Sequence, residues 1–203
     1  MTYKLIYCDP PWSYKDKASA GHRGAEFKYP CLSLVDLVNM RMEIKSISDP
    51  DSVLYMWTTG PMFPDACILM ESWGYTYKTI AFTWIKTNKN NIQNSMKSGE
   101  PVMLCTFVNY EGNIITRGDF MGMGNHTRSN AEYVILGVRG KGLKRVSASV
   151  RSTVISPIRE HSQKPDEVRE RLEMLYGDVP RLEMFARVKI PNWDYHGNEE
   201  RFV

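Results

Sequence analysis

The sequence predicts an α/β fold, a mostly parallel sheet with helices on both faces. Three observations predict it. Short runs rich in β-branched and aromatic residues recur at 4–8, 52–58, 75–86, 132–138 and 181–187, as buried strands do. Helical stretches lie between them, at 33–38, 60–73 and 165–177. The 203 residues suit one domain, 1–203, with a full-sized core.

The elements follow in order. Residues 4–8 form the first strand, and Pro10 and Pro11, which lack amide hydrogens, end its ladder. Residues 13–31 are polar and cationic, as expected of a substrate-binding lid that contains Tyr14 and Tyr29. Ser33 caps a helix through Leu34, Val35, Leu37 and Val38. Asp49-Pro50-Asp51 reads as a turn before the strand 52–58. Gly60-Pro61 opens a helix to about Trp73, with Gly74 just past its end. The strand 75–86 brings Lys86 to its C-terminal end, within reach of a phosphate. Residues 87–131 are the least regular, with a β-hairpin expected after Pro101 and a role in substrate choice. Pro165 opens the last helix, Val168, Leu172 and Leu175 face the core, and Gly177 ends it.

Composition narrows the function. No apolar run is long enough to span a bilayer, and the N-terminus lacks a secretory layout, so a cytoplasmic protein is expected. Cys8, Cys31, Cys67 and Cys105 are scattered, as are the histidines, so reduced thiols and a metal-free site are expected. The net charge of +3 is compatible with a nucleic-acid ligand but does not demand one. Residues 139–151 hold five cations and no acid, either a solvated loop or a phosphate contact.

The candidate site is Asp9-Pro10-Pro11-Trp12, at the C-terminal edge of the first strand. Ligands bind at that edge in open α/β sheets. The tetrapeptide should occur by chance in roughly one chain of this length in a few thousand. An exocyclic aromatic amine is a poor nucleophile because its lone pair is shared with the ring. Accepting its two N–H groups on the Asp9 carboxylate and the Pro10 carbonyl favours a pyramidal nitrogen and frees that pair. Pro11 stiffens the turn. Trp12 either plugs the core or offers a stacking face to a base flipped out of its helix.

With this motif the chain resembles the MTA-seventy family, the m6A-writer group of S-adenosylmethionine-dependent adenine-N6 methyltransferases. The resemblance runs from about residue 4 to 199. Residues 122–132 resemble Gly-x-Gly-Tyr-Trp-x-Arg-Asn-x-x-Glu, with Asn125 and His126 replacing the aromatic pair. Residues 161–167 match His-Ser-x-Lys-Pro-Asp-Glu, residues 183–187 match Glu-Leu-Phe-Ala-Arg, and the tail from Trp193 matches Gly-Trp-x-x-x-Gly-Asn-Glu. The catalytic motif comes first and the cofactor strand late, so the implied fold is Rossmann-like with circularly permuted motif order.

The resemblance implies site roles. Asp9, Pro10, Pro11 and Trp12 are catalytic. Asp9, Lys164, Glu183, Phe185, Arg187, Asn198 and Glu199 hold the cofactor, with Lys164 on its carboxylate, Glu183 bracing Lys164, and Arg187 by the ribose. Tyr14, Tyr29, Lys86, Arg128, Asn130, Glu132 and Arg159 bind substrate. The implied partner is nucleic acid. Compactness favours DNA and a bacterial or phage enzyme. RNA as substrate, a catalytically silent nucleic-acid-binding subunit, and a homodimer or paralogous partner stay open.

Overall fold

The structure is a computed structural model that describes residues 2–13, 31–88, 104–108, 111–122, 126–160 and 163–197. Its centre is a seven-stranded sheet in the order β7-β3-β6-β2-β1-β8-β9. β1 (Tyr3–Cys8) is central, between β2 (Ser48–Thr58) and β8 (Arg181–Ala186), and parallel to both. β3 (Thr76–Thr87) is parallel to β7 (Thr153–Pro157), and β8 to β9 (Asp194–Gly197). β6 (Ala131–Arg139) alone runs antiparallel to its neighbours β2 and β3. β4 (Leu104–Val108) and β5 (Ile114–Gly118) form the expected hairpin as a separate two-stranded sheet.

The alternation along β1 explains the layering, because successive side chains point to opposite faces. Ile6 and Cys8 join the core under α1 (Leu34–Asn39), α2 (Arg41–Ile47) and α3 (Phe63–Ser72), which contribute Leu37, Ile44 and Leu69. Leu5 and Tyr7 join the opposite core, where α4 (Glu167–Tyr176) contributes Val168, Leu172 and Tyr176. Helices therefore cover both faces, and Leu5, Ile6, Tyr7 and Cys8 are buried on one side or the other.

Local chemistry sets the element ends. Ser33 caps α1 with a reciprocal capping box to Asp36. The sequence reads one helix there. A second short helix, α2, follows at once, and Ser48 Oγ donates to the Ile44 carbonyl at its end. Asp49-Pro50-Asp51, expected as a turn, lies inside β2. The turn chemistry is present all the same: the Asp51 amide donates to Asp49 Oδ1 at 3.0 Å and Ser52 Oγ to the Asp49 carbonyl at 2.7 Å. The β1–β2 register shifts alongside, so the strand absorbs the turn as an irregularity. α3 begins at Phe63, with Pro64 rather than Pro61 in its first positions. α4 begins at Glu167, just beyond Pro165, and ends at Gly177 with φ +68°.

The basic loop between β6 and β7 runs away from the candidate site. Arg139 pairs with Ser52 at the sheet end opposite Asp9, and the Val146 amide donates to the Leu175 carbonyl near the end of α4. Gly140 turns the chain with φ +57°, and a Cβ there would lie 2.3 Å from both the Pro50 carbonyl oxygen and Asp51 Oδ1. Gly140→Ala is therefore expected to cost at least about 2 kcal/mol in urea unfolding, from the left-handed backbone and the clash together.

Candidate active site

The strand order brings the distant sequence segments to one edge. β1 ends in Asp9, and β8, hydrogen-bonded beside it, carries Glu183 and Phe185 and leads to Arg187. The segment preceding α4 supplies Glu160, Gln163, Lys164 and Asp166. These residues, with Tyr7, Arg169 and Val188, line a cavity of about 330 Å³. Phe185 has φ +58°, a backbone conformation uncommon for a non-glycine residue, and a register shift in the β8–β9 pairing spans it. A larger hollow of about 670 Å³ lies elsewhere, lined by Phe107, Arg151, Glu167 and Arg171 among others, and holds none of Asp9, Pro10, Pro11 and Trp12.

Charge dominates the site. Lys164 Nζ lies 2.8 Å from Asp9 Oδ2 and 3.4 Å from Glu132 Oε2, with its side chain only 9% exposed. Lys86 Nζ in turn lies 2.5 Å from Glu132 Oε1. Asp9, Lys164, Glu132 and Lys86 thus form a row of alternating sign. Burial pushes the Asp9 carboxyl above its ordinary range, although Lys164 pulls it back. Burial opposes the charge on Lys164, yet Asp9 and Glu132 outweigh it and hold its pKa above the usual lysine value. Burial also opposes ionisation of Glu132, and here the two lysines prevail and lower its pKa.

Several expected roles change. Glu183, expected to brace Lys164, is held by Arg169. Both its oxygens accept from Arg169, at 2.7 Å from Nε and 2.7 Å from Nη2, so its charge is already matched. Arg169 was not read from the sequence as a site residue, and it also donates to Asp166 Oδ1. Its signal was a cation beside Val168 on the inward face of a helix, opposite an acid in a core strand. Lys86 is engaged with Glu132 and lies 5.1 Å from the centroid of the Trp84 ring, rather than reaching outward to a phosphate. Glu132 faces Lys164 and Lys86, and Arg159 pairs with Asp166.

Trp12 is a core side chain. It is 5% exposed, packs with Ile6, Cys8 and Met56, and donates its indole N–H to the Trp57 carbonyl at 3.2 Å. It does not line the cavity formed around Asp9 and Lys164. Pro10 and Pro11 are buried beside it. The Pro10 carbonyl accepts the Trp12 amide at 2.8 Å, and a carbonyl oxygen retains a second lone pair for an incoming donor. The Leu32 amide donates to the Pro11 carbonyl, so the chain returns to the motif on either side of residues 14–30. Arg128 is exposed, and the Asn130 carbonyl accepts the Lys86 amide. Tyr14, Tyr29, Asn198 and Glu199, with most of the lid expected at 13–31, lie outside the described residues.

A parallel-rich sheet with a carboxylate-proline turn at one strand tip and a charged cavity beside it is the architecture of an α/β Rossmann-like fold, consistent with a methyltransferase. The family model MT-A70 matches residues 3–106 and 106–199. The chain therefore belongs to the MT-A70 family of S-adenosylmethionine-dependent N6-adenine methyltransferases, as its resemblance to the MTA-seventy group implied. It is 30% identical to the Type II methyltransferase M.MunI of Mycoplasma sp, over 97% of this chain and 77% of that one. It is 23% identical to the Homo sapiens N(6)-adenosine-methyltransferase catalytic subunit METTL3, over 97% of this chain and 28% of that protein. An Arabidopsis thaliana N(6)-adenosine-methyltransferase MT-A70-like protein is 24% identical, over 92% of this chain and 22% of its own length.

The cavity fits the cofactor that the family implies. S-adenosylmethionine carries a carboxylate, an ammonium and a sulfonium. The cavity wall offers Lys164 and Arg187 to the first, the carboxylates of Asp9, Glu160 and Asp166 to the cations, and Phe185 to an apolar face. Among the described residues no cluster of histidine, cysteine or acidic side chains has the geometry to hold a metal.

Two stability outcomes follow from the buried contacts. Arg169→Met alone strands the Glu183 charge and should cost about 3–5 kcal/mol in urea unfolding, whereas adding Glu183→Gln should recover most of that loss. Trp12→Ala should cost about 3–5 kcal/mol by the same measurement, and Trp12→Phe much less.

Proposed function

We propose that the protein transfers a methyl group from S-adenosylmethionine to N6 of adenine in DNA. The observation that carries this reading is the Asp9 carboxylate at the strand tip, next to the Pro10 carbonyl and on the wall of a cavity suited to the cofactor. DNA is favoured by the likeness to a Type II methyltransferase over most of both chains. The N(6)-adenosine-methyltransferases are matched over only about a quarter of their length.

The bound cofactor supplies an electrophilic methyl on a positively charged sulfur. The protein's own residues hold the amine in line with it. Asp9 and the Pro10 carbonyl each accept one N–H of the adenine amino group, which directs the nitrogen lone pair outward. With the cofactor held by Lys164 and Arg187, Asp9 would take the proton that the nitrogen gives up on receiving the methyl, the thioether being the leaving group. Burial raises the proton affinity of Asp9 and so suits it to that task. Lys164 is placed to exchange its contact with Asp9 for the carboxylate of the cofactor, which frees Asp9 for the amine. A target base in duplex DNA reaches Asp9 only when flipped from its helix.

The test is incubation with a labelled methyl donor and single- and double-stranded DNA and RNA oligomers, followed by nucleoside analysis. Label is expected in N6-methyldeoxyadenosine. Label in N6-methyladenosine from RNA alone would overturn the DNA assignment, and no label in any adenine would overturn the activity. Asp9→Asn should abolish transfer while leaving the far-UV spectrum unchanged. The wild-type rate should also fall as pH drops through the raised pKa of Asp9, because only the ionised carboxylate accepts the amine. That acid limb should therefore lie above the ordinary aspartate value of about 4.

A further inference from the structure

We infer that Lys86 is a positioning residue for methyl transfer: its ammonium fixes the Glu132 carboxylate where Glu132 shares Lys164 with Asp9. The inference rests on the methyltransferase reading above and deepens it. Lys86 acts through other groups and not on the substrate.

The geometry is specific. The two oxygens of Glu132 are divided, Oε1 to Lys86 at 2.5 Å and Oε2 to Lys164 at 3.4 Å. Lys164 is in turn divided between Glu132 and Asp9, the latter at 2.8 Å. The Lys86 backbone is held on both sides, its amide donating to the Asn130 carbonyl and its carbonyl accepting the Phe120 amide. Its ammonium sits near the Trp84 ring, itself fixed by an indole N–H to the Ser156 carbonyl. Lys86 and Glu132 are 20% and 14% exposed, so water screens this pair only in part. A flexible side chain reaching for phosphate would not be anchored in this way.

The division has a consequence for Asp9. Lys164 must leave Asp9 before the carboxylate can accept an amine. An ionised Glu132 close by gives Lys164 a counter-ion throughout that exchange, before the carboxylate of the cofactor takes the place of Asp9. The charges that act here come from five elements: Lys86 on β3, Glu132 on β6, Lys164 before α4, Asp9 after β1, and Arg187 after β8, which acts on Asp9 and Lys164. Lys86 and Lys164 are the two cations that hold Glu132 ionised. Without Lys86, Glu132 takes up a proton at higher pH, and Lys164 is then retained on Asp9.

The experiment compares wild type, Lys86→Met and Lys86→Arg. Lys86→Met is expected to lower kcat roughly ten- to a hundredfold with little change in KM for the oligonucleotide. The acid limb of its pH profile should move upward, and Lys86→Arg should move it back. Calorimetric titration with S-adenosylhomocysteine, with no nucleic acid present, gives a second readout. The pH at which binding weakens should rise in Lys86→Met and recover in Lys86→Arg. A direct phosphate contact predicts a different pattern: unchanged kcat and cofactor binding, a raised KM, and a salt dependence of binding shallower by about one contact. That pattern, or wild-type behaviour of Lys86→Met in both assays, would overturn the inference. Were the wild type to methylate no adenine at all, the activity reading would fail, and the calorimetric arm would still decide whether Lys86 acts on Lys164.

Discussion

The ion pair between Lys164 and Asp9 is the interaction on which the site depends. A lysine and an aspartate brought this far out of water are costly to hold charged unless each has a partner. Lys164 lies in the segment entering α4, and Asp9 follows the central strand, so the pair joins elements more than 150 residues apart in sequence. It also sets the local charge pattern. Glu132 shares the lysine, Lys86 balances Glu132, and this row of four side chains holds two cations and two carboxylates side by side. Such a wall can receive a ligand that carries both signs, because each ligand charge replaces a partner of like sign already in place.

A second pair performs a different task. Arg169 and Glu183 meet through two parallel hydrogen bonds beneath the cavity, where both side chains are buried. The fork of a guanidinium matches a carboxylate in a way that an ammonium cannot. This geometry fixes α4 against β8 at the point where the cavity wall passes from helix to sheet. With its charge matched by Arg169, Glu183 leaves Lys164 to Asp9 and Glu132. One pair is therefore closed and structural, and the other is shared and able to exchange. The distinction arises from how partners are shared: Glu183 gives both oxygens to Arg169, while Lys164 is shared by the carboxylates of Asp9 and Glu132.

Much of the fold was legible because it rests on periodicity and punctuation. The short strand-forming runs at 4–8 and 181–187 gave strands that the structure places side by side, and the Ser33 cap and the Gly177 stop lie at real helix ends. What was not legible depended on tertiary pairing. Asp49-Pro50-Asp51 has the chemistry of a turn and makes the hydrogen bonds of one, but pairing with β1 draws it into a strand. The antiparallel direction of β6 leaves no trace in its apolar run, since a strand buried on both faces reads alike in either direction. In the site, Asp9, Lys164, Phe185 and Arg187 were placed together by motif and do line one cavity. Partner choice within that set was not legible, because it depends on which side chains β3, β6 and β8 bring into register.

Trp12 shows the limit most clearly. Its position in the motif implied contact with substrate, and its burial shows contact with the core. The two readings describe different sides of one turn. The Trp12 amide bonds the Pro10 carbonyl, and the indole anchors to the Trp57 carbonyl on β2. A proline cannot donate, so neither residue before Trp12 can tie this turn to the sheet through its own amide. The tryptophan supplies the missing donors and the apolar bulk. It thereby fixes the Pro10 carbonyl next to Asp9, whose carboxylate lines the cavity. The motif is then a single mechanical unit, with a carboxylate on the cavity wall and a buried ring that anchors the turn behind it.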